Sequence, residues 1–144
     1  MPLLSDRDQA AVRKEFEKLT GPVKLVVFSQ ELSGAAELCR QNEELVRDVA
    51  ALAPNTITVE VLNPAIDRDR AAAYGVDRVP AIVVEGARDY GIRFLGIPSG
   101  YEFSNLIDAT IVASSGTPGL SAETQAALAG LTGDIDIKVF STPT

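Results

Sequence analysis

The sequence predicts an α/β fold in which a four-stranded mixed sheet is flanked by helices. Helix-like stretches, with apolar residues three and four positions apart, alternate with short runs rich in β-branched residues. With 46% apolar side chains, a chain of 144 residues is long enough to bury the core of one domain. The opening helix and strand also recur near the end of the chain, which predicts the first helix and strand of a second unit.

The repeat keeps its residue types in the same order. Ser5, Gln9, Ala10, Ala11 and Val12 recur as Ser121, Gln125, Ala126, Ala127 and Leu128, and Leu19-Thr20-Gly21 and Val27-Phe28-Ser29 recur as Leu131-Thr132-Gly133 and Val139-Phe140-Ser141. The second copy is shorter by about one helical turn, which leaves its apolar face in phase. We therefore expect a complete unit over residues 1–115, a linker over residues 116–119, and an incomplete second unit over residues 120–144.

The first half of the complete unit predicts two helices and two strands. Residues 5–19 have the spacing of an amphipathic helix, and residues 23–28 have the apolar pattern of a strand covered on both faces. Residues 35–53 form the longest predicted helix, and residues 56–62 alternate β-branched with polar residues. A helix that crosses between two strands makes them parallel, so these elements predict a right-handed βαβ unit around a central first strand.

The second half of the unit predicts a hairpin between two helices. Arg68 to Tyr74 forms a short helix that ends at Gly75. Residues 81–84 and 92–95 are the expected strands of the hairpin, and a final helix begins near Ser99.

Charge and composition exclude several classes of function. The net charge is −7 with no histidine, and the pI is near 4.5, so the chain repels the phosphates of nucleic acid. No apolar run is long enough for a membrane span or a secretory signal, which favours a cytoplasmic location. One cysteine and no histidine leave too few ligands for zinc, haem or an iron–sulfur cluster, so we expect no metal and no cofactor.

Two segments carry a resemblance to a known family. Residues 71–81 (AAAYGVDRVPA) resemble the stretch that leads into the cis-proline of thioredoxins and glutaredoxins, and residues 91–103 (GIRFLGIPSGYEF) are similar to the hairpin and helix start of archaeal-type protein disulfide oxidoreductases. Those proteins have two tandem thioredoxin units, as does the N-terminal region of the flavoprotein subunit of alkyl hydroperoxide reductase. The resemblance covers essentially the whole chain and implies a thioredoxin-like fold.

The same resemblance implies a substrate groove at Val79 and Pro80, with a cis peptide bond between them. The alternative is an ordinary trans proline at the first residue of a strand, which local sequence permits. Even a cis-proline without nearby thiols would preserve the shape of a groove and would not by itself make a catalyst.

The chain departs from the family at the catalytic motif. The family places a Cys-x-x-Cys pair after the first strand, at the start of the long helix, where the helix dipole lowers the thiol pKa. The matching positions here are Ser33, Gly34, Ala35, Ala36 and Glu37. Because none of them carries sulfur, we expect no dithiol–disulfide exchange from this unit. The final Ser141-Thr142-Pro143-Thr144 resembles the segment that precedes Cys-x-x-Cys in the family's second unit, which implies a catalytic motif just past Thr144.

Four residues offer candidate chemistry of other kinds. Cys39 is either a displaced monothiol nucleophile or a small apolar residue of the core, and its place on the helix stripe favours the core. Ser33 lacks a histidine to activate it, so a helix cap is the better interpretation. Ser99 and Gly100 could bind an anion at a helix start, but a capping box with Glu102 explains them better.

The expected function is that of a redox-inactive half of a protein disulfide oxidoreductase-like protein. It would have a structural or docking role beside a catalytic second unit and a redox partner protein. The alternatives are a monothiol oxidoreductase that uses Cys39 and a stand-alone module that binds an extended peptide beside Pro80. Because the strand over residues 135–141 lacks the partners of a full unit, we expect it either to join the first unit's sheet or to form a homodimer through residues 120–144.

Overall fold

A computed structural model describes residues 3–32 and 34–142, and most of them form one sheet with helices on both of its faces. The strands are β1 (Val23–Phe28), β2 (Ile57–Leu62), β3 (Ala81–Glu85) and β4 (Asp89–Leu95). The helices are α1 (Asp6–Phe16), α2 (Ala36–Ala51), α3 (Arg68–Tyr74), α4 (Phe103–Ser115) and α5 (Ala122–Ala129), and a 3₁₀ turn over Gly100–Glu102 precedes α4.

The sheet has the strand order β2-β1-β3-β4. β1 is parallel to β2 and antiparallel to β3, and β3 is antiparallel to β4. The predicted mixed four-stranded sheet is therefore confirmed, and β1 is an interior strand as its apolar sequence predicted. Because α2 connects two parallel neighbours, β1, α2 and β2 form the expected βαβ unit.

Each face of the sheet has its own apolar core. On one face, helices α1, α2 and α4 pack against alternate residues of β1, which are Val23, Leu25 and Val27. On the other face, α3 covers Val26 and Phe28 of the same strand. β1 is thus apolar on both faces because both are buried, which is the burial that its continuous apolar run predicts.

The two copies of the repeat begin with the same local structure. Ser5 caps α1 and Ser121 caps α5, each with an extended backbone and a side chain that accepts the N–H three residues later at 3.2 Å. Gln9 and Gln125 each donate from the side chain to the backbone carbonyl five residues earlier, at 3.1 and 2.8 Å. The sequence repeat therefore encodes one helix start twice.

The strand predicted over residues 135–141 is absent from the structure, which corrects this part of the expectation. These residues have no helix or strand conformation, and the four strands of the sheet do not include them. The cause is a lack of partners, since β1 is stabilised by pairing with both β2 and β3 whereas the described residues offer this segment no equivalent strand. Addition to the first unit's sheet does not occur, and a homodimer through residues 120–144 stays a prediction.

Smaller differences concern the ends of elements. α1 ends at Phe16 and not at residue 19, and the hairpin strands extend toward each other until only residues 86–88 connect them. α3 has the predicted bounds and ends at Gly75, whose φ of 67° is the left-handed conformation that glycine adopts readily. None of the helices in the described part of the chain is both long and apolar enough to cross a membrane.

Candidate functional site

The predicted site lies where the chain leaves β1 and enters α2. At this edge of the sheet, the backbone N–H of Ser29 continues the parallel pairing by donating to Leu62 at 2.9 Å. The chain then turns away from the sheet, and α2 begins at Ala36 with Ala35 as its N-cap residue. Ser33, the first of the five positions matched to the family motif, lies outside the described residues.

The described positions of the motif offer little chemistry. Gly34, Ala35 and Ala36 bring only hydrogen and methyl side chains, and Ala35 caps α2 without any side-chain hydrogen bond. A Cβ placed on Gly34 would meet no atom within 4 Å, so the space around it is open. Gly34, Ala35 and Ala36 therefore leave room for a larger group and carry no side chain that could act as a nucleophile.

A carboxylate follows at the start of α2. Glu37 accepts hydrogen bonds from Arg40 at 2.6 and 3.1 Å and from Gln41 at 2.8 Å, and these bonds lower the pKa of Glu37 below its usual range. Arg40 also reaches Glu44 at 2.5 Å. An ionised carboxylate in the first turn complements the helix dipole, so these contacts stabilise the helix start and leave Glu37 unsuited to act as a general acid near neutral pH.

The free thiol of Cys39 is buried. Its residue is 1% exposed, and its backbone N–H donates to Ala35 within the first turn of α2. A reactive cysteine must reach solvent or a substrate, so this position is that of a core residue.

The peptide bond between Val79 and Pro80 is cis, as the resemblance implied. Pro80 is buried, and its carbonyl oxygen accepts the N–H of Gly96 at 2.9 Å. Because Phe28 pairs with Ala81, the register brings Pro80 beside Ser29 at the same edge of the sheet. The cis-proline thus lies beside the end of β1, from which the chain leads to the motif positions, whereas a substrate groove at Val79 and Pro80 stays a prediction.

The capping box predicted at Ser99 is wrong. Ser99 makes no side-chain cap bond, and Gly100 to Glu102 form a 3₁₀ turn before α4 begins at Phe103. The backbone N–H of Glu102 instead donates to the carbonyl oxygen of Ser99 at 3.3 Å. The turn satisfies the helix start through the backbone, so the hydroxyl is not needed there.

Sequence reasoning missed an exposed apolar surface beside the motif. Leu32, Val61 and Ile66 line a cavity of about 550 Å³ at the ends of β1 and β2, together with Glu31, Glu43 and Asp67. The available signal was an apolar residue inside each of two polar loops, at Leu32 and Ile66.

Among the described residues, no group of three or more Asp, Glu, Cys or His side chains is placed to hold a metal ion.

The chain is similar in sequence to curated thioredoxins. It is 31% identical to a probable thioredoxin of Methanothermobacter thermautotrophicus over 86 residues, which are 60% of this chain and 93% of that protein. It is 32% identical over 89 residues to a probable thioredoxin of Methanothermobacter marburgensis, covering 62% of this chain and 96% of that protein. No protein-family model matches the chain.

Two solved structures share the fold over most of the chain. The alkylhydroperoxide reductase AhpF of Enterococcus faecalis is 26% identical, with a TM-score of 0.80 over 90% of this chain and 61% of that one. A protein disulfide oxidoreductase of Aeropyrum pernix is 24% identical, with a TM-score of 0.75 over 90% of this chain and 56% of that one, a likeness that supports the fold alone. The chain therefore spans about three fifths of the length of these two proteins.

Proposed function

Because the chain belongs to the thioredoxin family, we propose that it is the half of a tandem disulfide oxidoreductase-like protein that carries no dithiol of its own. Its role is to pack against a catalytic second unit and to help position a partner protein for thiol–disulfide exchange. The observation that carries the proposal is the chemistry of the α2 start, where residues 33–37 contain no sulfur. A disulfide cannot be attacked or re-formed at this position without a thiolate.

The burial of Cys39 supports the same proposal. A monothiol mechanism would need this sulfur to be accessible, but the residue is 1% exposed and follows the helix start instead of preceding it. The unit keeps the cis Val79–Pro80 bond and both cores around β1. A fold that retains its cis-proline and its packing while lacking its reactive thiols is suited to docking.

The second unit is proposed from the repeat. Helix α5 begins with the same cap and the same glutamine hydrogen bond as α1. In the segment that follows, Ile135, Ile137 and Val139 recur at the positions of Val23, Leu25 and Val27, which are 0–2% exposed in the first unit. Apolar side chains at these positions suit a strand that the rest of a second unit would bury.

The proposal is tested by the reduction of insulin disulfides with dithiothreitol as electron donor. A thioredoxin with an intact Cys-x-x-Cys serves as the positive control, and the Cys39→Ala variant shows whether any remaining rate depends on that thiol. We expect the 144-residue chain and the variant to match the rate without protein. A rate near that of the positive control would overturn the proposal, and its loss in Cys39→Ala would assign the activity to the monothiol alternative.

A gain-of-function experiment addresses the motif positions directly. The double variant Ser33→Cys/Ala36→Cys restores two thiols at the family spacing, and Ser33→Cys alone is its matched control. We expect the double variant to form a reversible disulfide and to reduce insulin at least about tenfold faster than the single variant, because only a paired thiol can release the mixed disulfide. Equal rates for the two variants would contradict the match between these residues and the motif.

Cys39 gives an independent readout. In the folded chain its alkylation by iodoacetamide is expected to be at least about a hundredfold slower than in denaturant, because the reaction requires opening of the buried site. Rapid alkylation of the folded chain would favour the monothiol alternative.

A further inference from the structure

We propose that the cavity between the loop that follows β1 and the end of β2 binds a segment of a partner protein in which apolar side chains alternate with lysine or arginine. We call this place the Leu32–Ile66 surface; it is formed by residues 29–32, 61–63 and 65–67 together with Glu43. It lies on the β2 side of the end of β1, whereas Pro80 lies on the β3 side. The proposal deepens the docking role proposed above and rests on it.

Exposed apolar side chains are the first argument. Leu32 is 100% exposed, Ile66 is 78% exposed and Val61 is 37% exposed, yet all three line the same cavity of about 550 Å³. Large apolar side chains gathered at one concave place indicate a binding surface, since each would gain free energy by being covered. The cavity is also within the size range of protein sites that accept a side chain or a small ligand.

The second argument is that Ile66 is held in its exposed place. The loop before α3 is a closed network in which the N–H groups of Ile66 and Asp67 donate to the carbonyl oxygen of Asn63 at 2.9 and 2.7 Å. In return, the N–H of Asn63 donates to the Asp67 carboxylate at 2.9 Å, and Ala65 donates to the Asn63 side chain at 2.9 Å. A preordered loop loses little conformational entropy when it binds, so the exposure of Ile66 favours association.

The negative charge around the Leu32–Ile66 surface favours a partner segment that carries positive charge. The surface is lined by Glu31, Glu43 and Asp67, and no lysine or arginine is among its described lining residues. Arg47 binds Glu43 at 2.7 Å, and Asp67 is engaged with its own loop, but carboxylates still outnumber cations at the rim. A segment with lysine or arginine beside its apolar residues would therefore find complementary charge there.

The position of β2 favours an extended partner. β2 is an edge strand, and Val61 lies near its exposed end. An extended segment can pair with a free strand edge and direct alternate side chains to one side, which matches an apolar cavity flanked by carboxylates.

Copies of this chain fit the surface less well. The chain carries a net charge of −7. Its own exposed segment over residues 134–140 contains two aspartates and one lysine, so it is acidic as well. Both would bring like charges to the rim, which disfavours a second copy as the occupant.

The test uses the 144-residue chain and a short fluorescein-labelled peptide that alternates valine with lysine. Binding is measured by fluorescence anisotropy and mapped by amide chemical shifts in NMR. Two control peptides replace lysine by glutamate or valine by serine. We expect the valine–lysine peptide to shift residues 29–32 and 61–67, and each control peptide to bind at least about tenfold more weakly.

Matched variants separate this surface from general attraction to an acidic protein. Leu32→Ser and Ile66→Ser are each expected to weaken binding about fivefold to tenfold, whereas Val112→Ser, which removes an apolar side chain that is 40% exposed on α4, should leave binding unchanged. Glu31→Lys should weaken binding more than Asp134→Lys, although both change the net charge equally.

The outcomes distinguish this inference from the proposed function. Three results would overturn the inference about the Leu32–Ile66 surface: equal binding by the serine variants and their control, chemical-shift changes spread over the whole protein surface, or no binding of any peptide. None of these results would change the conclusion drawn from an absence of insulin reduction, which tests the proposed function. Insulin reduction by the chain would overturn the proposed function even if the peptide binds. Concentration-dependent dimerisation that is lost in Ile66→Ser would assign the surface to a second copy and likewise contradict the inference.

Discussion

Arg93 of the edge strand β4 binds Tyr74, the last residue of α3. The Nε of Arg93 donates to the backbone carbonyl oxygen of Tyr74 at 2.9 Å, and the guanidinium carbon lies 5.5 Å from the centre of the Tyr74 ring. The hydroxyl of Tyr74 in turn donates to Glu85 at 2.7 Å. These contacts join α3, β3 and β4, so the helix before the cis-proline is held to both strands that follow it.

Arg93→Ala should destabilise the fold by about 1–2 kcal/mol, because a half-buried charged hydrogen bond and the stem that covers Tyr74 are both lost. Arg93→Lys keeps the charge but cannot bind Tyr74 and Asp89 together, so we expect it to recover less than half of the loss. Urea unfolding monitored by circular dichroism measures both variants. A change below about 0.3 kcal/mol for Arg93→Ala would contradict this role.

The pair between Arg93 and Asp89 predicts a dependence of stability on acid. Hydrogen bonds from Arg93 at 2.6 and 2.8 Å lower the pKa of Asp89 below its ordinary value of 3.8. Because the pKa is lower in the folded state, the stabilisation is complete above about pH 5 and is lost as the pH falls through 3.8 and below.

In the Asp89→Asn variant, the contribution that ionised Asp89 makes to the free energy of unfolding, and its dependence on pH, should disappear. The variant should be less stable than the parent at pH 7, and the difference should shrink toward about pH 2. Urea unfolding at several pH values measures the two curves. A constant difference across that range would show that ionisation of Asp89 does not contribute.

Gly86 is expected to tolerate no side chain. A Cβ at this position would lie 2.0 Å from the carbonyl oxygen of Ala113, because the β3–β4 turn packs directly on the end of α4. Gly86→Ala should therefore cost about 1–3 kcal/mol. Gly133→Ala is the matched control, since a Cβ there would meet no atom within 4 Å. Thermal unfolding measures both variants, and equal midpoints would contradict the close approach.

The fold was predictable where local signals and tertiary packing agree. The continuous apolar run over β1 required burial on both faces, and Gly75 could end α3 in a left-handed conformation. The absence of a dithiol could be read directly, because it depends only on residue types. The Leu32–Ile66 surface could not, since two separate loops meet there only after β1 and β2 pair.

In helix α2, hydropathy does not predict correctly which side chains are buried. Its apolar spacing predicts Leu38 on the buried stripe, but Leu38 is 50% exposed, whereas Asn42 is fully buried beside Cys39 and Val46 on that helix. Hydropathy ranks leucine above asparagine for burial, but the contact face of α2 is set by how the helix lies on the sheet. The face is rotated so that positions 39, 42, 46 and 49 point inward.

Asn42 therefore offers a stabilising substitution. Neither polar atom of its buried side chain has a hydrogen-bond partner among the described residues. Asn42→Leu keeps the branching and the number of non-hydrogen side-chain atoms and removes the desolvation cost, so it should raise the free energy of unfolding by about 1 kcal/mol or more. Asn42→Ala is the control, because it removes the amide but leaves a cavity and should not stabilise. Denaturant unfolding decides between them, and destabilisation by both would indicate that the amide is satisfied in solution.

Removal of residues 120–144 should leave the first unit intact. Every described residue from 115 to 142 is exposed, and neither core includes a residue beyond Ala113. We therefore expect the free energy of unfolding of the shortened chain to lie within about 0.5 kcal/mol of that of the full chain.

The segment over residues 120–144 should also drive association of the full chain, because Ile135, Ile137, Val139 and Phe140 are 61–91% exposed. Light scattering should show a dimer that is lost on truncation and weakened by Ile137→Asp, whereas a full chain that remains monomeric would contradict association through this segment.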